Sequence, residues 1–203
     1  MKCAELRRSA FVGLTLFVVV FAAPLYAQAP PVVVNFDAVD AWTNSVEATP
    51  YLRSFGATLS GVTPGTSVRI INNSTLYSGQ AAVPTSPPNL FTQTGLATAI
   101  SFTIVFNTMA GESFAVGSVT FNRAMLLAGP SGVTHPEWSA HAFDASGTEV
   151  ATVGESLIAS FVNVPAQTFT LSGPGIVSVR FDSDAHQFAG FGAVLIDDLV
   201  LQP

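Results

Sequence analysis

Two adjacent aspartates, Asp197 and Asp198, stand inside the apolar run FAGFGAVLIDDLVL near the end of the chain. On an alternating strand Asp197 shares a face with Leu199 and Leu201, and Asp198 shares the other with Ile196 and Val200. Whichever face is buried, one carboxylate points inward, and an unpaired buried carboxylate costs on the order of several kcal/mol. A hard cation held by oxygen ligands answers that cost. Calcium suits such a site, because it accepts carboxylates, backbone carbonyls and water in loose geometry. Asp37, just after the first strand, is the expected partner if first and last strands lie side by side, with Asp40 as a further acid nearby. The alternative is that Asp198 faces solvent and Asp197 accepts hydrogen bonds from backbone amides.

Other chemistry-bearing residues give less. HPEWSAH (135–141) spaces its histidines six apart with Pro136 after the first, unlike the helical His-Glu-x-x-His of zinc proteases. Read as a strand, it places His135, Glu137, Ser139 and His141 on one polar face and Trp138, Ala140 and Ala142 on the other. FDSDAHQ (181–187) offers Asp182, Asp184 and His186 in what reads as a polar turn, with ligand contact as the second reading. Trp42, Tyr51, Tyr77 and Trp138 are the rings on which a sugar could stack, Trp138 being the one whose strand position suits a core better. Neither a G-x-S-x-G elbow nor a Gly-rich phosphate loop occurs. Paired carboxylates for glycoside hydrolysis have source residues in Glu112, Glu137, Asp144, Glu149 and Glu155, but their separations are not written in the sequence.

The elements that must position these residues follow a leader. Lys2, Arg7 and Arg8 precede the apolar run FVGLTLFVVVFAA, and small residues follow at Ala27 and Ala29, which is the pattern of a secretory signal peptide cleaved after Ala27, or else after Ala29. Residues 28–203 then form one domain. Cys3 is lost with the leader, so no disulfide or thiol chemistry is expected. Four arginines and no lysine remain against twelve acids, a formal charge of −8. Nucleic acid and anionic lipid are poor partners for that balance.

From Val32 onward, period-two alternation recurs between Gly, Pro and Asn breakers, and no 3.6-residue stripe stands out. The clearest strand is AISFTIVF (99–106), with Ile100, Phe102, Ile104 and Phe106 on one face. About ten candidate strands predict an all-β, two-sheet β-sandwich. Asp144–Gly147 and Ser172–Gly175 read as hairpin turns, and the proline-rich stretch from Leu76 to Gly95 as a long loop.

The opening VVVNFDAV and the closing IDDLVL together resemble the jelly-roll carbohydrate-binding modules of the galactose-binding-like type, and the related sandwich domains of PEP-CTERM-type exported bacterial proteins. The resemblance implies a calcium ion joining Asp37 to Asp197. Two departures stand out: aspartate follows Phe36 where many such modules carry glutamate, and Leu201-Gln202-Pro203 takes the place of a sorting tail. The expectation is therefore a secreted or periplasmic, calcium-stabilised module that binds a carbohydrate or cell-envelope polymer. Its ligand residues would be Trp42, Tyr77, Trp138 and His186, and its metal ligands Asp37, Asp197 and Asp198. A small glycan hydrolase or lyase on the same scaffold, or a matrix protein without a small ligand, are the alternatives.

Overall fold

The computed structural model describes residues 29–39, 46–72, 82–95, 99–107, 111–127, 133–135, 137–156, 158–160, 162–184 and 194–203. The strands in chain order are β1 Val32–Val34, β2 Val46–Glu47, β3 Ala57–Ser60, β4 Thr66–Asn72, β5 Ala82–Val83, β6 Asn89–Gly95, β7 Ala99–Phe106 and β8 Val116–Arg123. They continue with β9 Met125–Leu126, β10 Val133–His135, β11 Trp138–Asp144, β12 Glu149–Glu155, β13 Ile158–Ser160, β14 Gln167–Asp184 and β15 Ile196–Gln202. One α-helix, α1 Ala48–Arg53, and a single 3-10 turn, Phe36–Ala38, are present among the described residues. The protein is an all-β sandwich of antiparallel pairs, as the alternation predicts.

The 18-residue strand β14 belongs to both layers. Its first part, Gln167–Ser172, pairs with β8, and its second part, Ser178–Asp184, lies between β11 and β7. The expected hairpin at Ser172–Gly175 is thus a bend within one strand: the register shifts between Ser172 and Ile176, and Gly175 takes φ +66. A front sheet results in the order β12-β11-β14-β7-β3, and a back sheet runs β14-β8-β15-β6-β4-β2 with β1 beside β15.

Inward alternation on both sheets makes the core. Phe102, Ile104 and Phe106 of β7 and Val179 and Phe181 of β14 meet Val119 and Phe121 of β8 and Leu199 and Leu201 of β15. An aromatic chain ties the layers: Phe91 packs edge-on to Phe102 at 5.5 Å, Phe102 stacks on Phe181 at 5.1 Å, and Phe121 meets Phe181 at 5.2 Å. Such pairs add about 0.5–1.5 kcal/mol each beyond the area they bury. A second small cluster, Ile71, Ala82, Leu90, Ala124, Leu126 and Leu195, packs where β5 pairs with β9.

Several expectations need correction. The stretch read as a loop from Leu76 to Gly95 contains β5 and β6, and β6 escapes a search for alternation because Leu90, Phe91, Thr92 and Gln93 are all buried. Leu90 packs in the small cluster and Phe91 in the main core, so both faces are covered. Helix α1 is too short for a repeating stripe, although Ala48 and Leu52, one turn apart, are both buried. His135 does not share a strand with Glu137: it lies in β10, which pairs with β13, and β11 starts at Trp138. Residues 1–27, read above as a leader, lie outside the described residues.

Arg123 closes one end of the sandwich from the inside. It is 2% exposed, and its Nε and Nη2 each lie 2.8 Å from the two oxygens of Glu155, while Nη1 donates to the carbonyls of Ala124 and Pro165. Trp138 Nε1 donates to the same carboxylate at 2.9 Å. Removing the cation would strand a largely buried carboxylate. Arg123→Ala is therefore expected to lower stability by about 3 kcal/mol or more, which thermal denaturation would read as a drop of roughly 6–12 °C in a domain of this size.

Candidate functional site

The closing strand shows how the paired aspartates are accommodated. β1 pairs with β15, Val32 opposite Leu201 and Val34 opposite Leu199, so the first and last strands are neighbours as expected. On the other edge of β15, Asp197 opposes Asn122 and Leu199 opposes Phe121, leaving Asp198 as the extra residue of a bulge at φ +48. Aspartate is among the few side chains that tolerate this left-handed conformation. The bulge breaks the alternation assumed from sequence: Ile196 joins Leu199 and Leu201 in the main core, and Asp197 points to the other face.

Asp197 is nevertheless fully buried. Its Oδ2 accepts from Thr85 Oγ1 at 2.7 Å and from the Ser86 amide at 2.6 Å, and its Oδ1 accepts from Ser86 Oγ at 3.0 Å. These donors satisfy it in the manner of the alternative reading, with a loop amide and two hydroxyls instead of a strand-entry amide. Ser86 Oγ also lies 3.1 Å from Asp198 Oδ1, yet a hydroxyl has one proton, so the two carboxylates compete for it. Burial above all, then the charge of Asp197, push the Asp198 carboxyl above its ordinary value; Asp37 adds to the push, while Ser86 and Asn122 oppose it.

Asp37 reaches this corner from the turn Phe36–Ala38. Its Oδ1 accepts from the Asn89 amide at 3.4 Å, and Asn89 Nδ2 donates to the carbonyls of Phe36 and Val39 at 2.9 and 2.8 Å. Those two bonds fix the orientation of the amide, and its Oδ1 is buried without a hydrogen-bond partner among the described residues. Among the same residues no three of Asp, Glu, His and Cys converge tightly enough to hold an ion by themselves. The donor set fits a hard cation only as a mixture of carboxylate and amide oxygens: Asp37, Asp198 and Asn89 Oδ1 have acceptor capacity to spare, and Asp197 has little. The charge of Asp37 is felt by Asp198, the neighbour of the Asp197 that the family likeness implied as its partner.

The second polar constellation lies on the outward face of the front sheet. Alternation turns Ser139 and His141 of β11, Arg180 and Asp182 of β14, and Ser101 and Thr103 of β7 away from the core. Register aligns them in two rows, Ser139-Asp182-Ser101 and His141-Arg180-Thr103. Asp182 Oδ2 accepts from Arg180 Nε at 2.7 Å and lies 3.6 Å from His141 Nε2. Beside these rows a groove of about 330 Å³ is lined by Ser101, Glu137, Ser139, Asp182 and Ser183. A neighbouring depression of about 380 Å³ shares Glu137 and Ser139 and runs on to Thr152, Gly154 and Glu155.

Asp182 therefore sits in a strand, where the sequence suggested a turn. Trp138 is 5% exposed, edge-on to Phe169 at 4.9 Å, so its ring is a core ring and no stacking platform. Trp42, Tyr77, His186 and Asp40 lie outside the described residues. The groove was missed because its residues come from three strands whose order no local pattern discloses. Ser139 and His141 were readable as one polar face.

No protein-family model matches the sequence, and no curated protein matches it. Among solved structures, the K1 cleaved adhesin domain of Lys-gingipain from Porphyromonas gingivalis W83 is similar, with 12% identity, a TM-score of 0.49, and coverage of 86% of this chain and 98% of that one. TmCBM61 in complex with β-1,4-galactotriose follows at 12% identity and TM-score 0.39, covering 72% and 88%. A family 29 carbohydrate binding module has 14% identity and TM-score 0.39, covering 86% and 92%. No helix among the described residues is long and apolar enough to cross a membrane.

The raised Asp198 carboxyl gives a pH prediction. A carboxyl that holds its proton more tightly when folded stabilises the protonated protein, and that stability is lost as pH rises from the ordinary carboxylate range through the raised value. Asn tolerates the same left-handed backbone and carries no charge. In excess chelator, Asp198→Asn is expected to melt above the wild type at pH 7, with the two curves converging near about pH 3.5. An equal gap at both pH values would contradict the assignment.

Proposed function

We propose that the protein is an exported binding module whose front-sheet groove takes a neutral, hydroxyl-rich polymer, a carbohydrate or a cell-envelope glycan. The lining of the groove is the observation that carries this reading: two carboxylates, Glu137 and Asp182, three serine hydroxyls, and no basic residue. Carboxylates accept bonds from sugar hydroxyls, and serines both donate and accept. Asp182 is paired with Arg180, so this face carries little net charge and suits a neutral ligand. The volume is of the size that holds one or two sugar rings on a rigid sheet. Export rests on the leader read in residues 1–27.

Calcium at the far corner is the second part of the proposal. Asp37 and Asp198, with Asn89 Oδ1, would hold it, and it would neutralise the charge that crowds Asp198 while joining the first strand to the last. It is a structural ion in this reading, and the groove residues do the binding.

Titration of wild-type protein against a glycan panel tests both parts. Asp182→Ala or Glu137→Ala is expected to weaken binding at least about tenfold, the loss of one charged hydrogen bond, whereas Thr120→Ala, on the back sheet, leaves it unchanged. Chelator is expected to lower the melting temperature of the wild type but not of Asp198→Ala. Binding indifferent to both groove variants would refute the groove, and a melting curve unmoved by chelator would refute the ion.

A further inference from the structure

The outward face of the front sheet also carries a three-membered hydrogen-bonded chain. Ser139 Oγ lies 2.9 Å from His141 Nε2, and Nδ1 of the same ring lies 3.1 Å from Glu149 Oε2. Ser139 and His141 are two apart on β11 and so project together, while Glu149 opens the neighbouring strand β12. In the tautomer that donates from Nδ1, this carboxylate orients the ring. The lone pair of Nε2 is then left for the serine hydroxyl. This is the order of orienting acid, base and nucleophile that activates a hydroxyl for attack on a carbonyl.

The surroundings suit an open nucleophile. Ser139 lines both depressions on this face. Its cross-strand partner is Gly154, where a Cβ would lie 2.4 Å from the Trp138 carbonyl and 3.3 Å from Ser139 Cβ, so the position admits no side chain and leaves that flank of the serine clear. The other groups facing His141 are Thr152 Oγ1, 3.3 Å from Nδ1, Asp182, 3.6 Å from Nε2, and Arg180, its partner in register across β14.

We propose that Ser139, His141 and Glu149 form an acyl-transfer site that hydrolyses short acyl esters. Ser139 Oγ bonds to the acyl carbon as its proton passes to His141 Nε2, and the carbonyl electron pair moves onto oxygen. Collapse of the adduct breaks the ester C–O bond, and the departing alcohol takes the proton from Nε2. Water then attacks the acyl-serine, gives a proton to Nε2, and releases the carboxylic acid as the proton returns to Ser139. Ester and water become acid and alcohol, with no redox partner. The activity stands or falls independently of which polymer the groove binds.

The purified protein, treated with a fluorophosphonate probe and assayed separately on p-nitrophenyl acetate, tests this. Labelling is expected at Ser139 by peptide mass spectrometry, with ester turnover that falls at least about 100-fold in Ser139→Ala and in His141→Gln. Ser139→Ala should keep the wild-type melting temperature, which separates lost chemistry from lost fold. Glu149→Gln, altering a positioning residue, is expected to lower kcat at least about tenfold at unchanged KM. Wild-type protein with a normal melting curve that gives no Ser139 adduct, or the same turnover as Ser139→Ala, would overturn the proposal.

Discussion

The structure depends on one strand serving two sheets. β14 contributes Phe169 and Leu171 to the interior where it pairs with β8, bends at Gly173–Gly175, and contributes Val179 and Phe181 where it runs between β11 and β7. Because a strand has only two faces, every inward residue in its second half fixes an outward one. Burial of Val179 and Phe181 is what turns Arg180 and Asp182 outward into the middle of the front sheet. The aromatic chain through Phe102, Phe181 and Phe121 keeps that geometry rigid from below, so the polar groups above it are held by the core and need little support of their own.

The back sheet meets a different constraint. A carboxylate with no arginine partner among the described residues is buried at Asp197, and Thr85 and Ser86 answer it with two hydroxyls and an amide. That arrangement works only because the bulge at Asp198 lets Ile196 stay in the core while Asp197 points the other way. The cost passes to Asp198, whose carboxyl is pushed above its ordinary value by burial and by the charges of Asp197 and Asp37. The two constellations lie on different sheets: one corner stands where the first strand meets the last, and the front sheet carries the outward polar rows.

How much of this was legible in the sequence depended on whether an element buries one face or two. β7 was plain because AISFTIVF alternates, and Trp138, Ala140 and Ala142 were correctly set on a face opposite Ser139 and His141. β6 was hidden because the small cluster covers its second face, and α1 because one turn of burial makes no stripe. Asp197 and Asp198 drew notice as buried acids, but a bulge, which a strict two-residue period cannot represent, reassigned their faces. The Arg123–Glu155 pair and the Ser139–His141–Glu149 chain join different strands, so only the register of the sheet brings them together. Asp182 looked like part of a turn because the polar letters of FDSDAHQ do not say that a strand edge runs through them.

We place ligand binding on the outward face of the front sheet. Backbone amide hydrogen exchange, compared with and without a saturating oligosaccharide taken from the glycan panel, tests it most directly. Added protection is expected to concentrate in 99–103, 137–142 and 178–184. Protection confined to the back sheet, with those three segments unchanged, would contradict it.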